Sequence, residues 1–550
     1  MNRETSTADR TEGAVLDRHH EPSGQTTGRG KRPIRNWVYG GGVGVALLLV
    51  GATLMGVYAR PFIHARALAM LRSRFQGQVE IRDFHIELFP IPTVTGSGIV
   101  VRHHGRTDVP PLIEIQEFSA TASFTGLLGQ PLHIHAVHLQ GLVIHFPPKE
   151  QGENAKLAGA SPKDVPVLID ELVADDAELD MLPANPEKPT HQFLIHQLTM
   201  RHVGRGRAAP FVAVLTNPAP PGEIHVRGDF GPWQPDDPRT TPVAATYTFD
   251  HADLSVFKGI AGILASQGKF AGPLDQLQVE GKTTTPDFTV TSGGHPMMLQ
   301  TEFSATVDGT NGDTLLHPVI AHLLGSTLIC NGKVIKAASG KGRDVVLDVT
   351  ARNARIEDLL RLAVKTATPP MTGTVNLHTK FDLPSPYEGG EVVDRLKLDG
   401  KFGIGDMQFT SPEVRGKVGS LSERAQGRPN DHEDDPLSQL RGDFRLRRAI
   451  ITLRDLGFQV AGAKVELDGT YGLRSEALDF HGKIQLQAKP SQMVTGFKSD
   501  LLRPFDHFLR KNGVTELPIK ITGKRDHPDF GLDFHRKKDH PAQLQSSHRQ

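Results

Sequence analysis

Cysteine is nearly absent: Cys330 stands alone in 550 residues. That excludes an intramolecular disulfide framework and any zinc site built on paired thiolates. An excess of either charge is missing too. Lys and Arg total 62, as do Asp and Glu, so no global field recruits nucleic acid or acidic substrates. Aromatic residues are scarce, at 6%. The chain also lacks the phosphate-cradling G-x-x-x-x-G-K, the metalloprotease H-E-x-x-H and the nucleophile elbow G-x-S-x-G. Without those signatures or a cofactor motif, the expectation is a protein that binds or scaffolds, with no enzyme activity and no cofactor. A hydrolase on a β scaffold is the last-ranked class, because it requires an acid/base pair that the linear sequence does not display.

Long hydrophobic runs are confined to one place. Val38 to Tyr58 carries no charge, and about 20 helical residues cross a ~30 Å hydrocarbon layer. Trp37, Tyr39 and Tyr58 sit at its ends, where amphipathic rings favour the interface. The glycines Gly40, Gly41, Gly42 and Gly44 are tolerated in lipid, where helix is the conformation that satisfies the backbone. A cleaved secretory signal is the alternative, but its apolar core spans about 7–15 residues after a short basic arm. Arg29, Lys31, Arg32 and Arg35 precede the run, while Arg60, Arg66, Arg72 and Arg74 come after it. The positive-inside bias is therefore nearly flat. Pro61 to Gln76 reads as a basic helix, lying on a bilayer surface or closing the end of the first sheet.

What is abundant is turn chemistry, with 56 glycines and 39 prolines. From Val79 onward apolar residues alternate with others, as in Leu142, Ile144 and Phe146; Val375, Leu377 and Phe381; Ile484 and Leu486; Ile519 and Ile521. Period two marks strands with one apolar face. Helical spacing is expected only over Ser255–Leu264, Ile356–Val364 and Gln492–Lys511. These three come after similar strand–turn contexts (Tyr247 to Leu254, Val345 to Asn353, Ile484 to Ala488), and Pro286-Asp287-Phe288 is echoed by Pro528-Asp529-Phe530. Such a loose repeat implies units that bury their faces on neighbours. Lys149 to Pro162 reads as a polar linker and Glu423 to Pro436 as a charged loop.

Two clusters invite a metal reading. His133 and His135 share a strand face, with His138 on the other and His103 and His104 nearby, but no carboxylate or thiol is close in sequence. An exposed polar strand face is the preferred reading. Asp170, Glu171, Asp175, Asp176, Glu178 and Asp180 lack the spacing and central Gly of a calcium loop and read as charges guarding strand edges.

Val79 to Pro90 (VEIRDFHIELFP), Gly96 to Val101 (GSGIVV), Leu112 to Ile115, Phe124 to Leu128 and His138 to Phe146 together resemble the opening of AsmA-like envelope proteins. Phe249 to Phe288 and Phe497 to Phe534 are similar to later parts of that family. The resemblance covers most of residues 38–536 in strand pattern, without a chemical signature, and the chain is shorter than the bridge-like TamB-type members. It implies a mainly β fold: a transmembrane helix, then an elongated, curved antiparallel β-sheet groove of about 30 strands with a few short helices. The implied division is a cytoplasmic disordered arm (1–36), a transmembrane helix (37–59), a basic juxtamembrane helix (60–78), an N-terminal β region (79–148), groove repeats (164–422), a C-terminal β region (438–536) and a disordered tail (537–550). It further implies an inner-membrane, single-pass protein with its N-terminus cytoplasmic and its large domain periplasmic, supporting lipid transport and outer-membrane homeostasis. The implied partners are phospholipids, the inner-membrane bilayer and outer-membrane assembly or periplasmic proteins. Candidate groove-lining residues are Leu142, Ile144, Phe146, Val375, Leu377, Ile484, Leu486, Ile519 and Ile521, for which ordinary sandwich core is the competing reading. A scaffold or assembly factor carrying no lipid is the alternative function.

Overall fold

A computed structural model describes residues 79–533 except 88, 103–109, 129–130, 147–166, 182–190, 205, 235–236, 339–341, 386–389, 429–437, 494–509, 512 and 526. The arm, the apolar run, the basic helix, the polar linker, His103 and His104, most of 492–511 and the tail lie outside the described residues. The chain divides into two units, Met1–Ala65 and Arg66–Gln550, and the described residues all belong to the second. Among them no helix is long and apolar enough to cross a membrane.

The described residues of the second unit form one open, twisted sheet of 25 strands. It begins with β1 (Val79–Glu87), β2 (Thr93–Val101), β3 (Ile113–Ala122) and β4 (Leu132–Phe146), each antiparallel to the last. β5 (Val167–Met181) pairs with β4 in parallel, the one parallel seam among the described strands of an otherwise antiparallel sheet. A parallel neighbour requires a connection of a dozen or more residues, and β4 ends at Phe146 while β5 begins only at Val167. Antiparallel pairing resumes with β6 (His191–Gly204), β7 (Ala209–Pro218), β8 (Pro221–Phe230), β9 (Pro242–Asp253), the short β10 (Ile260–Ala261), β11 (Ile263–Pro273), β12 (Leu277–Val290), β13 (Met297–Val307) and β14 (Thr314–Leu323). It continues through β15 (Ser326–Lys336), β16 (Arg343–Arg355), β17 (Met371–Leu383), β18 (Lys397–Phe409), β19 (Ser438–Arg447), β20 (Ile450–Val460), β21 (Ala463–Gly472), β22 (Ala477–Leu486), β23 (Arg510–Lys511), β24 (Val514–Lys524) and β25 (His527–Leu532). Strands pair with their sequence neighbours, except that β9 pairs β11 and β22 pairs β24, leaving β10 and β23 as short side pairings. The regions 79–148, 164–422 and 438–536 thus join in a single sheet.

Among the described residues α-helices are few: α1 (Phe124–Leu128), α2 (Ile356–Ala363), α3 (Val392–Arg395) and α4 (Pro412–Ala425). The expected helix at Ser255–Leu264 is instead one 3-10 turn, Leu254–Val256, succeeded by β10 and β11. Gly259 and Gly262 take φ of +102° and +135° there, outside any helix, and the apolar residues beyond alternate into the sheet. Of the two expected helices that fall within the described residues, Ile356–Val364 is matched closely by α2.

The sheet has two margins. The near margin is where Glu87 meets Thr93; the far margin is where Val79 meets Val101. Both longer helices, α2 and α4, lie at the far margin. Ile356 and Leu359 of α2 pack on Ala351, Val375 and Met407, and Val418 and Leu421 of α4 pack on Val460, Ala463 and Leu486. The sheet also coils. Gly259, after β9 at the far margin, sits against Val392 of the β17–β18 connection at the near margin, where an added Cβ would lie 3.2 Å from its Cγ2. In a flat sheet, seven strand spacings of ~4.8 Å would hold them ~34 Å apart.

Candidate functional site: an unbroken apolar stripe

Residues opposed across a ladder share a face, so the register can be traced from strand to strand. From Ile86 it runs through Val94, Ala120, Val137, Leu172, Met200, Phe211, Gly228 and Ala245. It continues through Phe270, Val279, Ala305, Leu316, Gly332, Leu347, Phe381 and Leu398. Leu446, Ile451, Tyr471, Leu478, Gly523 and Pro528 complete it. Every strand but β10 and β23 contributes one residue, and none is charged.

The opposite face carries the charges. Lys269 and Glu280 (3.2 Å), Lys282 and Glu302 (2.7 Å), Lys401 and Asp443 (3.0 Å), and Arg445 and Asp399 (2.9 Å) pair across strands there. Exposed pairs of this kind add little stability, so their main effect is to keep that face in water. Val212, Leu315, Ile329 and Val346 also stand exposed on it. Up to Leu478 the stripe residues are buried or half-buried, and only Gly523 and Pro528 at its end are exposed, although among the described residues no second layer of strands covers the face. Coiling of the sheet about its apolar face, with the two longer helices at the far margin, supplies the shielding.

Strict alternation would not keep this face apolar over such long strands. In Phe249-Asp-His251-Ala252, Ala351-Arg-Asn353-Ala354, Ile404-Gly-Asp406-Met407 and Leu453-Arg-Asp455-Leu456 the apolar spacing widens from two to three. The third residue of each has φ between 50° and 56°, and the register slips at each. These are β-bulges, which bend the strand and re-aim the residues beyond them. Asp, Asn and His are the side-chain-bearing residues that best tolerate this left-handed backbone. Ala252, Ala354 and Met407, just beyond, are buried. In β1 to β6 the same widening falls on one row, so that Phe118 packs with Ile115, Leu139 with Leu142 and Ala174 with Ala177. The signal is present in the sequence, and a strict period-two reading passes over it.

Midway along, a groove of about 1020 Å³ crosses β7 to β14, at the upper end of the ~300–1,000 Å³ typical of small-molecule sites. Ala213, Val226, Tyr247 and Phe303 contribute to it from the apolar face, and Arg227, Lys269 and Lys282 from the charged one. Gly268 and Gly281, opposed across β11 and β12, let the flanking rings approach. A Cβ on Gly281 would stand 2.9 Å from Phe303 Cζ, and one on Gly268 3.0 Å from Tyr247 Cε1. The polar groups on this part of the apolar face are hydroxyls: Tyr247 Oη lies 3.2 Å from Ser266 Oγ, and Thr283 Oγ1 2.7 Å from Thr301 Oγ1. Burial pushes the Tyr247 pKa up, keeping it neutral.

The sequence-derived groove residues share this face but differ in exposure. Leu142, Val375 and Leu486 are buried in local clusters, the last two beneath α2 and α4. Leu377 and Ile144 are half-buried on the edges of those clusters. Ile484, Ile519 and Ile521 are half-buried around Val465, Leu467 and Phe480. The side chain of Phe146 lies outside the described residues.

The acidic run of β5 lies inside the sheet between β4 and β6, so it guards no edge. It supplies the carboxylates absent from the local sequence of β4. His133 Nε2 donates to Asp170 Oδ1 (2.6 Å) and His135 Nδ1 to Asp170 Oδ2 (2.9 Å). Hydrogen bonds from His135 and then His133 hold the Asp170 pKa below its usual value. At the other end of the same parallel seam, His145 Nε2 lies 3.4 Å from Asp180 Oδ2. Burial first, then Glu178, push the Asp180 pKa up, and its Oδ1 is buried with no hydrogen-bond partner. Among the described residues no group of three or more His, Cys, Asp or Glu is arranged to hold a metal ion.

No family model, curated protein or solved structure matches the chain.

Proposed function

We propose that the protein is a membrane-anchored envelope protein that holds phospholipid acyl chains against the apolar stripe and so supports lipid movement and outer-membrane homeostasis. The observation that carries the reading is the continuous apolar row, one residue from every strand but β10 and β23, on a face that no second sheet among the described residues covers. Each methylene withdrawn from water contributes about 0.8 kcal/mol. A run of about ten therefore gains roughly 8 kcal/mol, against which stand the costs of ordering and association. The row has no charged position to strand a buried ion pair, and an apolar chain can lie at any point along it. The resemblance to AsmA-like proteins and the uncharged run 38–58 support placement at the inner membrane with the sheet in the periplasm. A lipid-free assembly factor would be served by a closed core, and the open apolar face weighs against it.

A photo-crosslinking amino acid placed at Leu377, on the apolar face, and at His378, on the charged one, tests this in intact cells. The expected result is a phospholipid adduct at Leu377 and none at His378. Absence of adduct at Leu377, or equal adduct at both, would refute the reading.

A further inference from the structure

One end of the apolar face differs from the rest. At the near margin the β1–β2 turn presents Phe89 at 87% and Ile91 at 58% relative exposure, and α1, next to it, presents Phe124 at 46%. The two segments are joined where Ala122 N donates to Pro92 O at 3.0 Å. Neither carries a charge: residues 88–101 and 118–132 contain no Asp, Glu, Lys or Arg. Every later turn at this margin has at least one, among them Arg207, Asp237, Asp275, Asp308, Glu391, Arg448, Arg474 and Arg525. An exposed phenylalanine without neighbouring charge is disfavoured in water and favoured at the boundary between headgroups and acyl chains.

We infer that this tip, carrying Phe89, Ile91 and Phe124, dips into a phospholipid bilayer and makes the near margin of β1–β3 the entrance to the stripe. The inference rests on the lipid-binding reading. Ile86 and Val94, the first two stripe residues, stand directly behind the tip. An acyl chain leaving the bilayer there meets the stripe without crossing charged surface.

The test uses the full chain with Cys330→Ser, reconstituted in vesicles of phosphatidylethanolamine and phosphatidylglycerol. An environment-sensitive dye is attached at Phe89→Cys or at Ser475→Cys, the latter in the charged β21–β22 turn of the same margin. Quenchers are carried either on lipid tails or as aqueous iodide. The expected result is at least fivefold stronger quenching by lipid-borne groups at position 89 than at 475, with iodide showing the reverse. Equal lipid quenching at the two positions would overturn the inference. So would a dye at 89 that both quenchers fail to reach, since another part of this chain would then cover the tip. Lipid adduct at Leu377, measured in the same vesicles, separates the two claims. Adduct with a water-exposed tip overturns the entrance and leaves the lipid reading intact; a quenched tip with no adduct overturns the lipid reading and the entrance together.

Discussion

The seating of α2 at the far margin depends on one carboxylate. Asp358, in the first turn of the helix and 4% exposed, accepts from Ser326 Oγ at 2.8 Å and from Gly325 N at 3.1 Å in the β14–β15 turn. Ser326 Oγ in turn accepts from Arg355 N at 2.9 Å. Asp358→Ala leaves the Gly325 N–H without its acceptor and the Ser326 hydroxyl with only a 3.4 Å contact to Arg355 O. Each stranded buried group costs about 1–3 kcal/mol, and the charge also favours the helix N-terminus. We therefore expect a loss of about 2–4 kcal/mol, less than the simple sum because Ser326 is partly rescued. At about 1.4 kcal/mol per factor of ten, the local opening of α2 becomes roughly 30- to 700-fold more frequent. Each strand contacts mainly its neighbours, so the change should stay local and not melt the sheet. Amide hydrogen exchange reads it: residues 356–363 and 324–326 should lose protection by that factor while β1 to β6 keep theirs. Asp358→Asn, which retains an acceptor oxygen, should lose less than tenfold. Exchange in α2 unchanged within threefold for the alanine variant would refute this account of how the helix is held.

The parallel seam should respond to acid with opposite signs at its two ends. Asp170 has a depressed pKa, so its contribution is present above the unfolded value of 3.8 and lost as pH falls through its lower folded value. Asp180, whose pKa is raised, weakens the fold when ionised at neutral pH and is relieved as pH falls through its folded value. Asp180→Asn should accordingly slow local opening of β4–β5 at pH 7, with the difference shrinking toward pH 4, whereas Asp170→Asn should speed opening at pH 7; the reverse order in hydrogen exchange would contradict the assignment. At the bulges, Asp455→Val forces a β-branched residue into φ of 50° and should cost about 1–2 kcal/mol, visible as local exchange in β20 and β21, while Asp455→Gly should be nearly neutral. Deleting Asp455 outright restores a spacing of two between Leu453 and Leu456, so Leu456, Phe458 and Val460 should keep to the apolar face and the protein should still fold; inserting one alanine after Leu456 should do far more, because Phe458 and Val460 would then face the charged side, and a protein that folds normally with the insertion would disprove the role given to the register.

Period two suffices to read strands and to choose a face, because in most segments each apolar residue does alternate with a polar one. The register is not legible, since it depends on which partner each strand finds. The bulge residues resemble ordinary turn formers until the spacing on both sides is compared. Ser255–Leu264 mimics a helix because Phe257, Ile260, Ile263 and Leu264 fall at helical intervals, although Gly259 and Gly262 interrupt them. The carboxylate that meets His133 and His135 cannot be found locally. It lies 37 and 35 residues away, and only the parallel crossover brings it alongside. Phe89 reads as part of a strand segment, whereas its 87% exposure is a property of the turn.

The near-sequential order of the strands makes this sheet a ruler with a fixed graduation. A hairpin added or removed inserts two strands, or ~9.6 Å along the stripe, and returns the chain to the margin it left. A single strand would reverse the direction of everything downstream and carry α2 and α4 to the other margin. Length can therefore drift in even steps without disturbing either end, and the one odd step in the sheet, the parallel entry of β5, is the point at which the chain re-sets its direction.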